Sequence, residues 1–128
     1  MSAQHAIAIL ESFSDANDEP QLAVLGAAVE TIGRADDDTV RAAVPALLRV
    51  FERFPNHDGF GVFWRILHFL ESIPGSYERE LILSLRRRPS EFGVTMVNRC
   101  LNAGQRSVGG IDLVRVLLDV SNDSRANA

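Results

Sequence analysis

Three histidines, one cysteine and seventeen carboxylates are the groups in this 128-residue chain whose types permit acid–base, nucleophilic or metal chemistry. Two histidine–carboxylate pairs are close in sequence: His57 beside Asp58, and His68 with Glu71 one helical turn on. Two ligands do not hold a zinc ion, and no histidine pair brackets a glutamate, no second cysteine is present and no calcium loop is found. Each pair therefore reads as a surface or capping feature. Cys100 lies among apolar residues at helical spacing and reads as a buried, inert thiol that forms no internal disulfide. Gly59-Phe60-Gly61 and Gly109-Gly110 follow no strand pattern and read as turns. All 13 basic residues are arginine, so the lysine of a phosphate-binding loop does not exist here, and no Gly-x-Ser-x-Gly elbow occurs. The sequence thus predicts no catalytic residue, no metal site and no cofactor, and points to a binding protein rather than an enzyme.

Candidate binding residues come from polar groups set on apolar segments and from charge. Arg65, His68 and Ser72 are spaced to share one strip of a mostly apolar helix, with Trp64 and Glu71 beside it. Such a strip is either a hydrogen-bonded network between helices, since buried polar groups need partners, or the lining of a concave binding face, where Trp and Arg are favoured anchors. Asn98, Arg99 and Asn102 form a similar strip that reads as a solvated face. Residues 1–40 carry eight acids against Arg34 alone, net −7, whereas residues 41–128 carry 12 arginines against nine acids, net +3. An acidic first third disfavours nucleic acid as partner and attracts a basic protein surface. The arginines at 79 and 86–88 lack interleaved aromatics and make a poor nucleic-acid platform.

Helices must position these residues. Gly, Pro, Asn and Asp clusters divide the chain into about seven segments, each with apolar residues three and four apart. The pattern predicts helices over Ala3 to Phe13, from Asp18 with Pro20 in its first turn, from Asp36–Asp38 to about Phe54, over Phe60 to Ile73, over Tyr77 to Arg88, from Pro89-Ser90 to Gly104, and over Ile111 to Val120. Pro45 falls inside the third and predicts a kink or a division into two short pieces. The fourth is apolar around most of its circumference and is expected at the centre. Pro74-Gly75-Ser76 is read as a turn, Gln105 to Gly110 as a flexible linker and Ser121 to Ala128 as disordered, and no β-hairpin is predicted. Alternate helices begin roughly 34 to 39 residues apart, which fits helix pairs stacked antiparallel as a short HEAT-like α-solenoid; an irregular helical bundle is the alternative. With 46% hydrophobic and 23% charged residues, residues 1–128 are read as one all-α domain. No apolar run approaches the ~20 residues of a membrane span and no signal-peptide pattern opens the chain, so a cytoplasmic protein is expected.

The stretch His57-Asp58-Gly59-Phe60-Gly61-Val62-Phe63-Trp64-Arg65-Ile66-Leu67-His68-Phe69-Leu70-Glu71, followed by Pro74-Gly75, resembles a segment of the small helical immunity proteins of bacterial polymorphic-toxin systems, contact-dependent growth inhibition among them. The similarity continues through Leu83 to Ser90 and Val97 to Gly104 and covers about half of the chain. The resemblance implies a monomer that binds a cognate toxin C-terminal domain, commonly a nuclease, one-to-one in the cytoplasm and occludes its active site without a cofactor. Joined to the charge pattern, it gives Glu30, Asp36, Asp37, Asp38, Asp58, Trp64, His68 and Glu71 as the expected partner-binding residues. A HEAT-like interaction module with another partner is the alternative.

Overall fold

A computed structural model describes residues 1–73 and 77–127; the turn expected at Pro74-Gly75-Ser76 lies outside them. Seven α-helices are present among the described residues: α1 (Ala3–Ser12), α2 (Glu19–Gly33), α3 (Asp37–Arg53), α4 (Val62–Glu71), α5 (Glu78–Arg87), α6 (Glu91–Asn102) and α7 (Leu113–Ser121). The fold is all-α. Five helices begin where a short polar side chain takes up an orphan backbone amide: Ser2 accepts from His5, Asp18 from Gln21, Asp36 from Thr39, Ser90 from Gly93 and Asp112 from Val114. None of the helices described is long and apolar enough to cross a membrane.

The helices form two layers. In one, α1 packs on α3, α3 on α5 and α5 on α7; in the other, α2 packs on α4 and α4 on α6, while α1–α2, α3–α4 and α5–α6 join the layers. This is the arrangement of a short α-solenoid, in which each helix pair buries its apolar stripes against its neighbours. Apolar residues at helical spacing fill the core: Leu22, Leu25, Val29 and Ile32 of α2; Val40, Val44, Leu47, Leu48 and Phe51 of α3; Phe92, Met96, Val97 and Cys100 of α6, with Leu101 half-buried beside them. Phe63 of α4 sits at the hub of an aromatic cluster, its ring 5.8 Å from Phe51, 5.9 Å from Phe92 and 6.3 Å from both Phe13 and Phe54. It therefore joins side chains from three successive helix pairs.

Four expectations are corrected. Of the two outcomes expected at Pro45 the division does not occur: helix α3 runs undivided through it, because eight residues of its inward stripe, on both sides of the proline, are held in the core and outweigh one missing hydrogen bond. Helix α4 is amphipathic rather than apolar all round: Phe63, Ile66, Leu67 and Leu70 are buried while Trp64, Arg65 and His68 are exposed. The segment read as a flexible linker is a hairpin, β1 (Ser107–Val108) with β2 (Ile111–Asp112), paired Ser107 to Asp112 and Val108 to Ile111. Gly109 (φ 53°) and Gly110 (φ 82°) supply the two left-handed residues that a tight two-residue hairpin turn demands. Finally, residues Ser124–Asn127 form a 3-10 turn, and Arg125 ties it to the end of α5 by donating to the carbonyls of Arg87 (2.7 Å) and Arg86 (3.3 Å).

Candidate functional site

The even-numbered helices present the outer face on which Glu30, Trp64, His68 and Glu71, half of the predicted residues, lie. On α4, Trp64 is 41% exposed; its ring rests edge-on against Phe92 at 5.0 Å and lies 5.9 Å from His68. His68 and Arg65 are exposed beside it, so this strip is a surface and not an internal network. Glu71 is the exception, since Arg99 of α6 grips it through two hydrogen bonds of 2.6 and 2.9 Å. That bidentate pair crosses from α4 to α6 and raises the Arg99 pKa above its ordinary value, the hydrogen bonds to Glu71 being the main cause.

The acids divide into two kinds. Glu30, Asp37 and Asp38 are exposed and have no ion-pair partner among the described residues. Asp36 and Asp58 are spent on the backbone. Asp36 caps α3, accepting the Thr39 amide at 2.7 Å, and its hydrogen bonds with Thr39 hold its carboxyl below the ordinary value. Asp58 accepts the Phe60 amide at 2.9 Å.

The predicted residues do not converge on one spot. Connectivity places the turns before α2, α4 and α6 on one edge of the layers and the turns after α2 and α6 on the other. His57 hydrogen-bonds Asn17 across 3.3 Å and the Glu91 amide donates to the Pro55 carbonyl at 2.9 Å, which fastens the three loops of the first edge together. Asp58 belongs to that edge, Asp36–Asp38 to the opposite one, and Glu30, Trp64, His68 and Glu71 to the helices between.

The first edge holds a feature that the sequence reading absorbed into a helix. Helix α4 begins at Val62 rather than Phe60, because Gly59, Phe60 and Gly61 all have positive φ (59°, 50° and 90°). Phe60 is the one non-glycine residue with positive φ among those described and is 70% exposed. Beside it opens a groove of about 330 Å3 lined by Asn17, Glu19, Leu22, Ala23, Val62 and Arg65. The guanidinium of Arg65 lies over Gly26 of α2, where any Cβ would come within 2.7 Å of its Nη1.

Elsewhere the polar groups serve the fold. Burial pushes the Cys100 thiol up, its sulfur 3.6 Å from the Tyr77 hydroxyl, so the thiol stays protonated and unreactive at neutral pH. Among the described residues no three His, Cys, Asp or Glu side chains gather in a way that could hold a metal ion. No family model, curated protein or solved structure matches the chain.

Proposed function

We propose that this protein is a binding module that neutralises a basic protein domain by covering it, the domain being a cognate bacterial toxin, in line with the resemblance of its central segment to immunity proteins. The observation that carries the reading is the charge left free by the fold: Glu30, Asp37 and Asp38 of the acidic first third are exposed and unpaired among the described residues. Asp37 and Asp38 stand in the first turn of α3, where the helix dipole favours an acid by only about 0.3–1 kcal/mol. They do generate a long-range field that steers a positively charged partner and rejects a negatively charged one.

In this reading the complex forms one-to-one in the cytoplasm, and the outer face of α2, α4 and α6, with Trp64 and His68 at its middle, lies over the toxin's substrate groove. Inhibition is by occlusion and asks no chemistry of the chain. The test is co-expression with the C-terminal domain of a toxin encoded immediately upstream, followed by co-purification and a growth-rescue assay. A stable complex with restored growth supports the reading; no complex and no rescue overturns it. Charge reversal at Asp37 and Asp38 is expected to slow association about tenfold at low salt, within the range of electrostatic steering, and to leave dissociation nearly unchanged.

A further inference from the structure

The turn between α3 and α4 spends free energy to show an aromatic ring to solvent. Left-handed backbone is free to Gly59 and Gly61 but strained for a phenylalanine, and strain of this kind persists only where the surroundings enforce it. Here they do. Nδ1 of His57 accepts the Gly59 amide at 2.8 Å, the Asp58 carboxylate accepts the Phe60 amide at 2.9 Å, and the Asp58 carbonyl accepts the amides of Gly61 at 3.1 Å and Phe63 at 3.3 Å. The ring is no part of the hydrophobic core: its ring contact is with His57, T-shaped at 5.6 Å, and it is more exposed than any other large apolar side chain described.

The surroundings say what such a ring fits. The adjoining groove has an apolar floor of Leu22, Ala23 and Val62, and both the Glu19 carboxylate and the Arg65 guanidinium line it. Asp15, Asp18, Asp58 and Glu91 belong to the three loops of the same edge, and the Asp58 carboxylate is bonded to the Phe60 amide itself. An exposed aromatic on an edge rich in carboxylates is complementary to an apolar cleft bordered by lysine or arginine, and such an edge repels phosphate backbones and anionic lipid surfaces.

We infer that Phe60 is the anchor of the partner interface: its ring enters an apolar cleft of the basic protein domain. This rests on the function proposed above and adds the contact that keeps the complex together once charge has formed it. Because the turn is rigid before binding, little ordering entropy is lost when the ring docks.

The variant Phe60→Asn separates anchor from fold, since asparagine tolerates left-handed backbone and the ring contributes no core packing. Its thermal unfolding midpoint is expected to equal or exceed that of the parent. Binding of both proteins to the immobilised toxin domain is then followed in time. The anchor predicts that Phe60→Asn weakens binding about 30-fold or more, the scale of a hot-spot residue, mostly through faster dissociation. Equal dissociation rates for parent and variant overturn the anchor and leave the proposed function standing. Failure of the parent to bind overturns the proposed function itself. Sedimentation of the protein alone supplies the last arm: self-association abolished by Phe60→Asn would make the occupant a second copy of this chain and overturn the assignment to a basic partner.

Discussion

The carboxylate of Glu52 on α3 accepts the buried hydroxyl of Ser84 on α5 across 2.7 Å. Arg87, one turn further along α5, closes on the same carboxylate with hydrogen bonds of 3.0 and 3.1 Å. Glu52 therefore ties two successive helix pairs together at the layer of odd-numbered helices. Glu52→Ala strands a hydroxyl that water reaches poorly and is expected to cost about 1–3 kcal/mol. Glu52→Gln keeps an oxygen for Ser84 and gives up only the ion pair with half-exposed Arg87, a loss of about 1 kcal/mol or less. Urea unfolding of the two variants reads the difference. Equal losses would show that the ion pair, not the Ser84 bond, holds α3 to α5.

Gly59 and Gly61 both have positive φ and differ in surroundings, which gives a paired prediction. A Cβ at Gly59 would lie 2.5 Å from Cδ1 of Phe63, the hub of the aromatic cluster, whereas at Gly61 it would meet nothing within 4 Å. Gly59→Ala combines left-handed strain with overpacking of the core and is expected to cost roughly 2–5 kcal/mol. Gly61→Ala carries the strain alone, about 1–2 kcal/mol. Calorimetry on both proteins decides it, and similar midpoints would mean that the Phe63 ring yields easily.

These glycines also mark the limit of what the sequence discloses. Helices announced by a cap and a stripe were readable because both signals are local: Asp18, Asp36 and Ser90 accept the amides their positions imply, and the stripes behind them are the core. Phe60 was misplaced because an apolar residue next to an apolar helix fits its periodicity whichever way its backbone turns. Gly109-Gly110 is a hairpin signal, but strands of two residues are too short to show alternation. The opposite fates of Glu30 and Glu71, one exposed and unpaired, the other gripped by Arg99, depend on which helices become neighbours. Spacing along the chain does not contain that.

Asp123 gives a prediction with a defined pH window. Hydrogen bonds from the Arg125 side chain and amide lower its pKa from an ordinary 3.8 to about 2. A carboxylate depressed on folding contributes its stabilisation fully above the unfolded value and loses it as the pH falls through the folded one. The turn over Ser124–Asn127 should therefore hold at pH 5 and detach from α5 between about pH 4 and about pH 2. The Arg125 amide resonance, followed by NMR, reads the transition, and Asp123→Asn should remove it. A turn that stays docked at pH 2 would show that the bonds to the Arg86 and Arg87 carbonyls suffice alone.

Gly26 is a glycine in the middle of a helix, where alanine is ordinarily preferred by about 1 kcal/mol. Its Cβ would press on Nη1 of Arg65 at 2.7 Å and on nothing else closer than 3.8 Å. That atom is the tip of a flexible, exposed side chain, so it can swing aside at small cost. Gly26→Ala is accordingly expected to raise stability by up to about 1 kcal/mol while displacing the guanidinium from the groove beside Phe60. Chemical denaturation measures the first effect, and the Arg65 Nε resonance reports the second. Stability gained with an unmoved Arg65 resonance would show that helix α2 shifts instead of the side chain. Stability lost would show that Arg65 is held over Gly26 more firmly than its exposure suggests, and that α2 keeps a glycine there to seat it.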